Sequence, residues 1–214
     1  MADGEARGAM QRYGGYAALG VVAVAVVGLV VWLFAFGGDD DEGPAAFDPS
    51  APEEFGTVGL ETGLIDDHRP EVGQPAPDFA LRNARDPERV VRLSDFRGTP
   101  VVLNWYASWC GPCRREIPDF QKAYDALDGE VVFIGVNLAE DADQAVGLLE
   151  VFVAKYPALL DEDGEIAAHY RLPGMPTTFF IDAEGIVQSS GAGLIVEEVL
   201  VEELARIGVT YTPE

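Results

Sequence analysis

Pro100-Val101-Val102-Leu103-Asn104-Trp105-Tyr106-Ala107-Ser108-Trp109-Cys110-Gly111-Pro112-Cys113-Arg114-Arg115-Glu116-Ile117-Pro118 is the stretch on which the fold turns. Its first seven residues form a nearly continuous apolar run, the pattern of a central strand buried on both faces. A helix is expected to follow from about Cys110 to Leu127, with a kink or restart at Pro118, which lacks the N–H that a helix interior needs. Both cysteines therefore fall where a buried strand becomes a helix. A helix N-terminus has unpaired N–H groups and the positive end of the backbone dipole, so an anion is stabilised there. Cys110 is expected to ionise below the usual thiol value of about 8.5, and the thiolate is the form that attacks a disulfide. Gly111 and Pro112 separate the pair, and Pro112 suits the first helical turn, where its missing N–H costs nothing. Cys110 is thus the expected exposed nucleophile, and Cys113, one turn inside, the resolving thiol.

Working outward, Phe79-Ala80-Leu81 and Val90-Val91-Arg92-Leu93 read as two short strands around a polar turn, and Val131 to Val136 as a second buried strand. A helical pattern runs from Asp141 to Tyr156, with Val146, Leu149 and Val153 on one face. Thr177 to Asp182 and Ile186 to Ser190 alternate like strands joined by Ala183-Glu184-Gly185, and Leu194 to Ile207 closes the chain as an amphipathic helix. The order β-α-β-α-β-β-α predicts an α/β domain, a mixed central sheet with helices on both faces.

The N-terminal part has a different texture. No charged residue occurs from Tyr13 to Gly38, and twenty residues at about 1.5 Å each match a hydrocarbon core of about 30 Å. Residues 1–15 are read as a short cytoplasmic N-terminus, 16–36 as a transmembrane anchor, 37–69 as an acidic flexible tether and 70–214 as the folded domain. Arg7 and Arg12 precede the span and Asp39-Asp40-Asp41-Glu42 follows it, which places the domain on the extracytoplasmic side. An uncleaved anchor is favoured over a cleaved signal peptide, because the apolar run is longer than a signal core and no small-x-small site precedes the acidic run. The sequence leaves open whether Phe55 to Ile65 packs on the domain.

The net charge is −23. Residues 37–69 carry ten acids against Arg69, a net of −9, and residues 70–214 carry 25 acids against 11 cations, a net of −14. Such a surface argues against nucleic acid and against docking flat on anionic lipid. The two cysteines are spent on one local pair, unlike the widely spaced pairs of a disulfide scaffold. Zinc is not expected, since a site would need two further ligands and His68 and His169 are the only histidines.

Gly174-Met175-Pro176-Thr177, just before Thr177-Thr178-Phe179-Phe180-Ile181-Asp182, supplies the second signal. The stretch PVVLNWYASWCGPCRREIP, followed some sixty residues later by GMPTTFFID, closely resembles membrane-anchored thioredoxin-like thiol-disulfide oxidoreductases of the TlpA/ResA type. Val72-Gly73-Gln74-Pro75-Ala76-Pro77-Asp78-Phe79 and Leu93-Ser94-Asp95-Phe96-Arg97-Gly98 are similar to that family too, and the likeness spans roughly residues 71–208. The resemblance implies a thioredoxin-like fold and a cis Pro176 that faces the cysteine pair. It also implies that the Met175 backbone, with Thr177 beside it, pairs with an extended substrate segment, and that Trp109 shields the site and contacts partners. Glu116, which shares a helix face with Cys113, is either an acid that tunes the thiols or an ordinary surface residue. Asn104 stands where cytoplasmic thioredoxins carry a buried Asp, and it cannot accept a proton near neutral pH.

The function expected is reduction of disulfides in extracytoplasmic proteins with cysteine pairs, with cytochrome c maturation and copper-site assembly as examples. Electrons would come from a membrane thiol donor, with no cofactor beyond the redox-active Cys110–Cys113 pair. Three alternatives stand beside it. A disulfide oxidase or isomerase would carry the same residues. A thiol peroxidase would need Thr or Ser where Ala107 lies, and a copper-binding protein would need His169 to approach the cysteines.

Overall fold

The computed structural model describes residues 56–213. The span read at 16–36 and most of the tether lie outside the described residues, and among those described no helix is long and apolar enough to cross a membrane. The strand expected at Pro100 to Tyr106 is β5, Val101–Tyr106, buried along its whole length. It pairs in parallel with β6, Val132–Leu138, and antiparallel with β8, Thr177–Ile181. The remaining strands are β1 (Thr57–Val58), β2 (Gly63–Leu64), β3 (Phe79–Asn83), β4 (Arg89–Arg92), β7 (Ala158–Asp161) and β9 (Val187–Ala192). Spatial order among the described residues is β1-β4-β3-β7-β6-β5-β8-β9, with β2 also on β3, giving a mixed sheet.

Two findings extend the sequence reading. β7 was not expected, yet it joins the sheet between β6 and β3, parallel to one and antiparallel to the other. Its four residues follow Pro157 directly, so the alternation that marks a strand has little length in which to show. The end of the tether packs as well: β1 pairs with β4, and β2 with β3.

Helix α1, Gly111–Leu127, runs through Pro118 as one element and ends at Asp128 in the left-handed region. Helix α2, Ala142–Val151, begins at the Asp141 cap, where the Asp141 carboxylate accepts from Gln144 N at 2.9 Å. It stops five residues before the expected Tyr156. Its buried residues are Ala145, Leu148 and Leu149, whereas Val153 lies beyond the helix and is 70% exposed. α3 is the short helix Glu165–His169, capped by the Asp161 carboxylate, which accepts from Ile166 N and Ala167 N. α4 is Glu197–Arg206, with Leu200 and Leu204 inward.

The sheet separates two cores. On one side Val101, Leu103 and Trp105 of β5 join Phe79, Tyr170 and Phe179 in an apolar cluster. Trp105 and Tyr170 rings lie 4.9 Å apart between centroids, and Phe79 and Phe179 meet both edge-on or nearly so. On the other side Val102 and Tyr106 pack with α1, α2 and α4, and both cysteines belong to this second cluster. The segment Gly73–Ala76 closes the start of β9, with Gly73 N donating to Val187 O and Val187 N to Gln74 O.

Candidate active site

Strand β5 ends at Tyr106, and the turn Ala107-Ser108-Trp109 passes the chain to α1. Cys110 is the N-cap, extended at φ −80 and ψ 103, and Pro112 occupies the first turn. Cys110 and Cys113 form a disulfide, and Cys113 N donates to Cys110 Sγ at 3.2 Å. That N–H is one of the unpaired donors of the helix start, so a thiolate at Cys110 would find a partner already in place. Cys110 is less open than expected, at 4% exposure against 0% for Cys113, and in the oxidised state both sulfurs lie within the cluster beneath α1. Trp109 by contrast is 66% exposed, Gly111 is exposed and Pro112 half-buried.

Glu116 is no surface residue. It is fully buried one turn beyond Cys113, accepting from Asn104 Nδ2 at 2.8 Å and from Ile195 N at 3.0 Å. Burial pushes its carboxyl up to about 7, against the opposing pull of those two hydrogen bonds. Asn104 Nδ2 also reaches Thr178 Oγ1 at 3.0 Å, so Asn104 links β8 to the Glu116 carboxylate of α1, whose other donor comes from the segment after β9. Asn104, which stands where cytoplasmic thioredoxins carry a buried Asp, is thus one of the two donors that hold Glu116.

The Met175–Pro176 peptide is cis. Pro176 is buried, Met175 packs against both cores, and Thr177 Oγ1 donates to Gly174 O at 2.7 Å. Pro176 O accepts from Gly193 N, which ties this turn to the end of β9.

Sequence reasoning missed another buried carboxylate near the cysteines, Glu140, just after β6. It accepts from Ser108 N at 2.8 Å, from Ser108 Oγ at 2.5 Å and from Asn137 Nδ2 at 2.8 Å. Ser108 lies two residues before Cys110, so Glu140 fixes the turn that presents Trp109 and the nucleophile. No motif announces it, because its partners are 32 and three residues away in sequence. His169 is not drawn to the cysteines through any hydrogen bond; its ring meets the backbone carbonyl of His68. Among the described residues no group of three or more His, Cys, Asp or Glu side chains is placed to hold a metal ion.

A vicinal cysteine pair at the start of the helix that follows the central strand, in a mixed sheet with a cis-proline before the antiparallel neighbour, defines a thioredoxin-like dithiol–disulfide protein. The chain belongs to the AhpC/TSA family, whose model matches residues 72–190, and it is a thiol-disulfide oxidoreductase. It is 34% identical to the thiol-disulfide oxidoreductase ResA of Geobacillus kaustophilus over 137 residues, 64% of this chain and 78% of ResA. The thiol:disulfide interchange protein DsbE of Pseudomonas fluorescens biotype C is 35% identical over 135 residues, 63% of this chain and 74% of that protein. A crystal structure of a DsbE-type thiol:disulfide interchange protein from Chlorobium tepidum superposes with a TM-score of 0.57 at 36% identity, covering 65% of this chain and 99% of that one.

Proposed function

We propose that this oxidoreductase works as a reductase of extracytoplasmic protein disulfides, held at the membrane by residues 16–36 with the domain on the outer face. The observation that carries the reading is Glu116, a carboxyl buried one turn from Cys113 and held by Asn104 and the Ile195 N–H, where burial raises its pKa to about 7. Resolution of a mixed disulfide requires Cys113 to lose its proton, and a carboxylate with a pKa of about 7 is matched to receive it at working pH.

In the reduced protein, Cys110 thiolate attacks one sulfur of a substrate disulfide, the substrate S–S bond breaks, and one substrate sulfur leaves as thiolate. Cys113 then passes its proton to Glu116 and attacks Cys110 Sγ. The Cys110–substrate bond breaks, the second substrate sulfur leaves, and the Cys110–Cys113 disulfide remains. Two electrons pass from the protein to the substrate. A membrane dithiol donor restores the cysteines by the reverse exchange. Trp109, Gly111 and Pro112 border the nucleophile, while Met175, Pro176 and Thr177 form the turn along which an extended substrate segment lies. The names of the relatives, oxidoreductase and interchange protein, support exchange with proteins, and substrates in cytochrome c maturation or copper-site assembly fit it.

The equilibrium reduction potential of Cys110–Cys113 in the full-length protein tests the direction. A value near about −270 mV is expected of a reductant, whereas a value near about −120 mV marks an oxidant and reverses the assignment.

A further inference from the structure

A pocket of about 380 Å³ opens beside the cis-proline turn. Thr177, which follows Pro176 directly, is one of its walls, and Pro173, two residues before Met175, is another. Its floor is made by Tyr170 and Phe179, both from the apolar cluster around Trp105. The pocket does not border the disulfide; it continues from the turn, whose Met175 packs against the cluster that holds both cysteines. From Met175 back to Arg171 is four residues, at most about 14 Å of extended chain. A partner segment laid along that stretch brings a side chain three or four residues from its cysteine to the pocket.

Arg69, at the end of the tether, and Arg171, after α3, both line it. Both are exposed, and neither makes an ion pair among the described residues. Glu71 lines the pocket too but pairs with neither. Ser190, opposite Phe179 on β9, adds a hydroxyl with no hydrogen-bond partner among the described residues. In a chain of 14 cationic against 37 acidic side chains, two unpaired guanidiniums at one pocket run against the general balance.

The backbone sets both positions. Arg171 N donates to Ala168 O and Leu172 N to Ala167 O, each at 3.2 Å, the paired bonds of a Schellman motif closing α3. The left-handed place in that motif usually holds glycine, and here it holds Arg171 at φ +52. A side chain there carries a conformational cost, which is a reason to look for its use. Arg69 is fixed from either side. The His169 ring meets the His68 carbonyl, the His68 ring lies 3.0 Å from Pro75 O, and Gly73 N donates to Val187 O.

We propose that this pocket is a specificity site for the exchanging polypeptide, in which Arg69 and Arg171 bind the carboxylate of an acidic residue three or four positions from the partner's cysteine. His169 is the positioning residue for Arg69. The inference rests on Cys110 as nucleophile and on the cis-proline turn as the path of the substrate segment. Guanidiniums hold a carboxylate through parallel N–H donors, and Ser190 Oγ supplies a further one.

The test uses the full-length protein carrying Cys113→Ser, so that exchange stops at the mixed disulfide. Two peptides each carry one central cysteine activated as the thionitrobenzoate disulfide. One has Glu at the third and fourth positions on both sides of it, and the other has Gln there. Cys110 thiolate attacks the peptide sulfur, the peptide–thionitrobenzoate bond breaks, and thionitrobenzoate leaves as the coloured thiolate with the bonding pair. At about 0.15 M salt, where charges more than about 8 Å apart are largely screened, the Glu peptide is expected to react about fivefold faster. Arg69→Gln and Arg171→Gln should each bring the ratio toward one. Arg115→Gln, the same loss of charge on α1, should leave it unchanged. His169→Ala should lower the ratio while the rate of the Gln peptide holds, a pattern that general loosening of the fold does not produce. Equal rates for the two peptides, a ratio unchanged in Arg69→Gln, Arg171→Gln or His169→Ala, or one lowered as much by Arg115→Gln overturns the pocket and leaves the exchange reading standing. No release from either peptide overturns the reading of Cys110, and the pocket with it.

Discussion

Strand β5 separates two environments that differ in kind. Val101, Leu103 and Trp105 point into a closed cluster of aliphatic and aromatic side chains, with Phe79, Tyr170 and Phe179 around the indole. Asn104 and Tyr106 point to the other side, where the same sheet is roofed by the disulfide helix and two buried carboxylates. One face is mainly apolar and, among the described residues, buries a single carboxylate, Asp161, which caps α3. The other spends burial on Glu116 and Glu140, groups whose desolvation is costly unless donors surround them. Alternation of side chains along one strand puts these two tasks a single residue apart. Stability and chemistry should therefore respond separately to substitutions at neighbouring positions.

The largest effect belongs to the apolar face. Trp105→Ala is expected to cost about 3–5 kcal/mol in urea unfolding, while the reduction potential of the folded protein stays as it was. A potential that moved with it would break the separation of faces. On the other face, Glu116→Gln tests the carboxyl raised to about 7. Its folded pKa lies above the ordinary carboxyl value, so the native state holds the proton more tightly. Stability conferred by the protonated form is complete below the unfolded value and is lost as pH climbs to about 7, by on the order of 3 kcal/mol. The Gln variant should show no such fall over that window, and its resolution of mixed disulfides should slow. A parent whose stability is flat from pH 4.5 to 8 contradicts the burial argument. The smallest effect is expected for Glu140→Gln, which keeps part of the hydrogen bonding to Ser108 and Asn137. It should cost about 1–2 kcal/mol and slow exchange with a protein disulfide a few-fold, and denaturation curves beside turnover rates measure both.

The legible parts of the sequence were those where one local pattern sufficed. The run Pro100 to Tyr106 could only be a buried strand, and Cys-Gly-Pro-Cys after it fixed the start of α1. Thr177 to Asp182 likewise announced β8. What was illegible depended on distant partners or on a missing stop signal. α2 was drawn too long because the helical spacing of Val146, Leu149 and Val153 continues past the true end, and the turn at Val153 lacks the glycine that usually marks it. Extending that helix to Tyr156 brought it up to Pro157 and hid β7 behind it. Glu116 could be placed on the face of Cys113 from spacing alone. Its burial could not, since it is made by Asn104 and Ile195, 12 and 79 residues away. The same holds for Glu140 and Ser108.

The central claim is that Cys110 attacks and Cys113 resolves. It is tested most directly by trapping, in which full-length Cys113→Ser and Cys110→Ser proteins are each mixed with a disulfide-bonded protein substrate and the products are weighed intact. Cys113→Ser is expected to accumulate a stable covalent adduct through Cys110, and Cys110→Ser to form none. An adduct on Cys113 in the Cys110→Ser protein, with none in its counterpart, would contradict it.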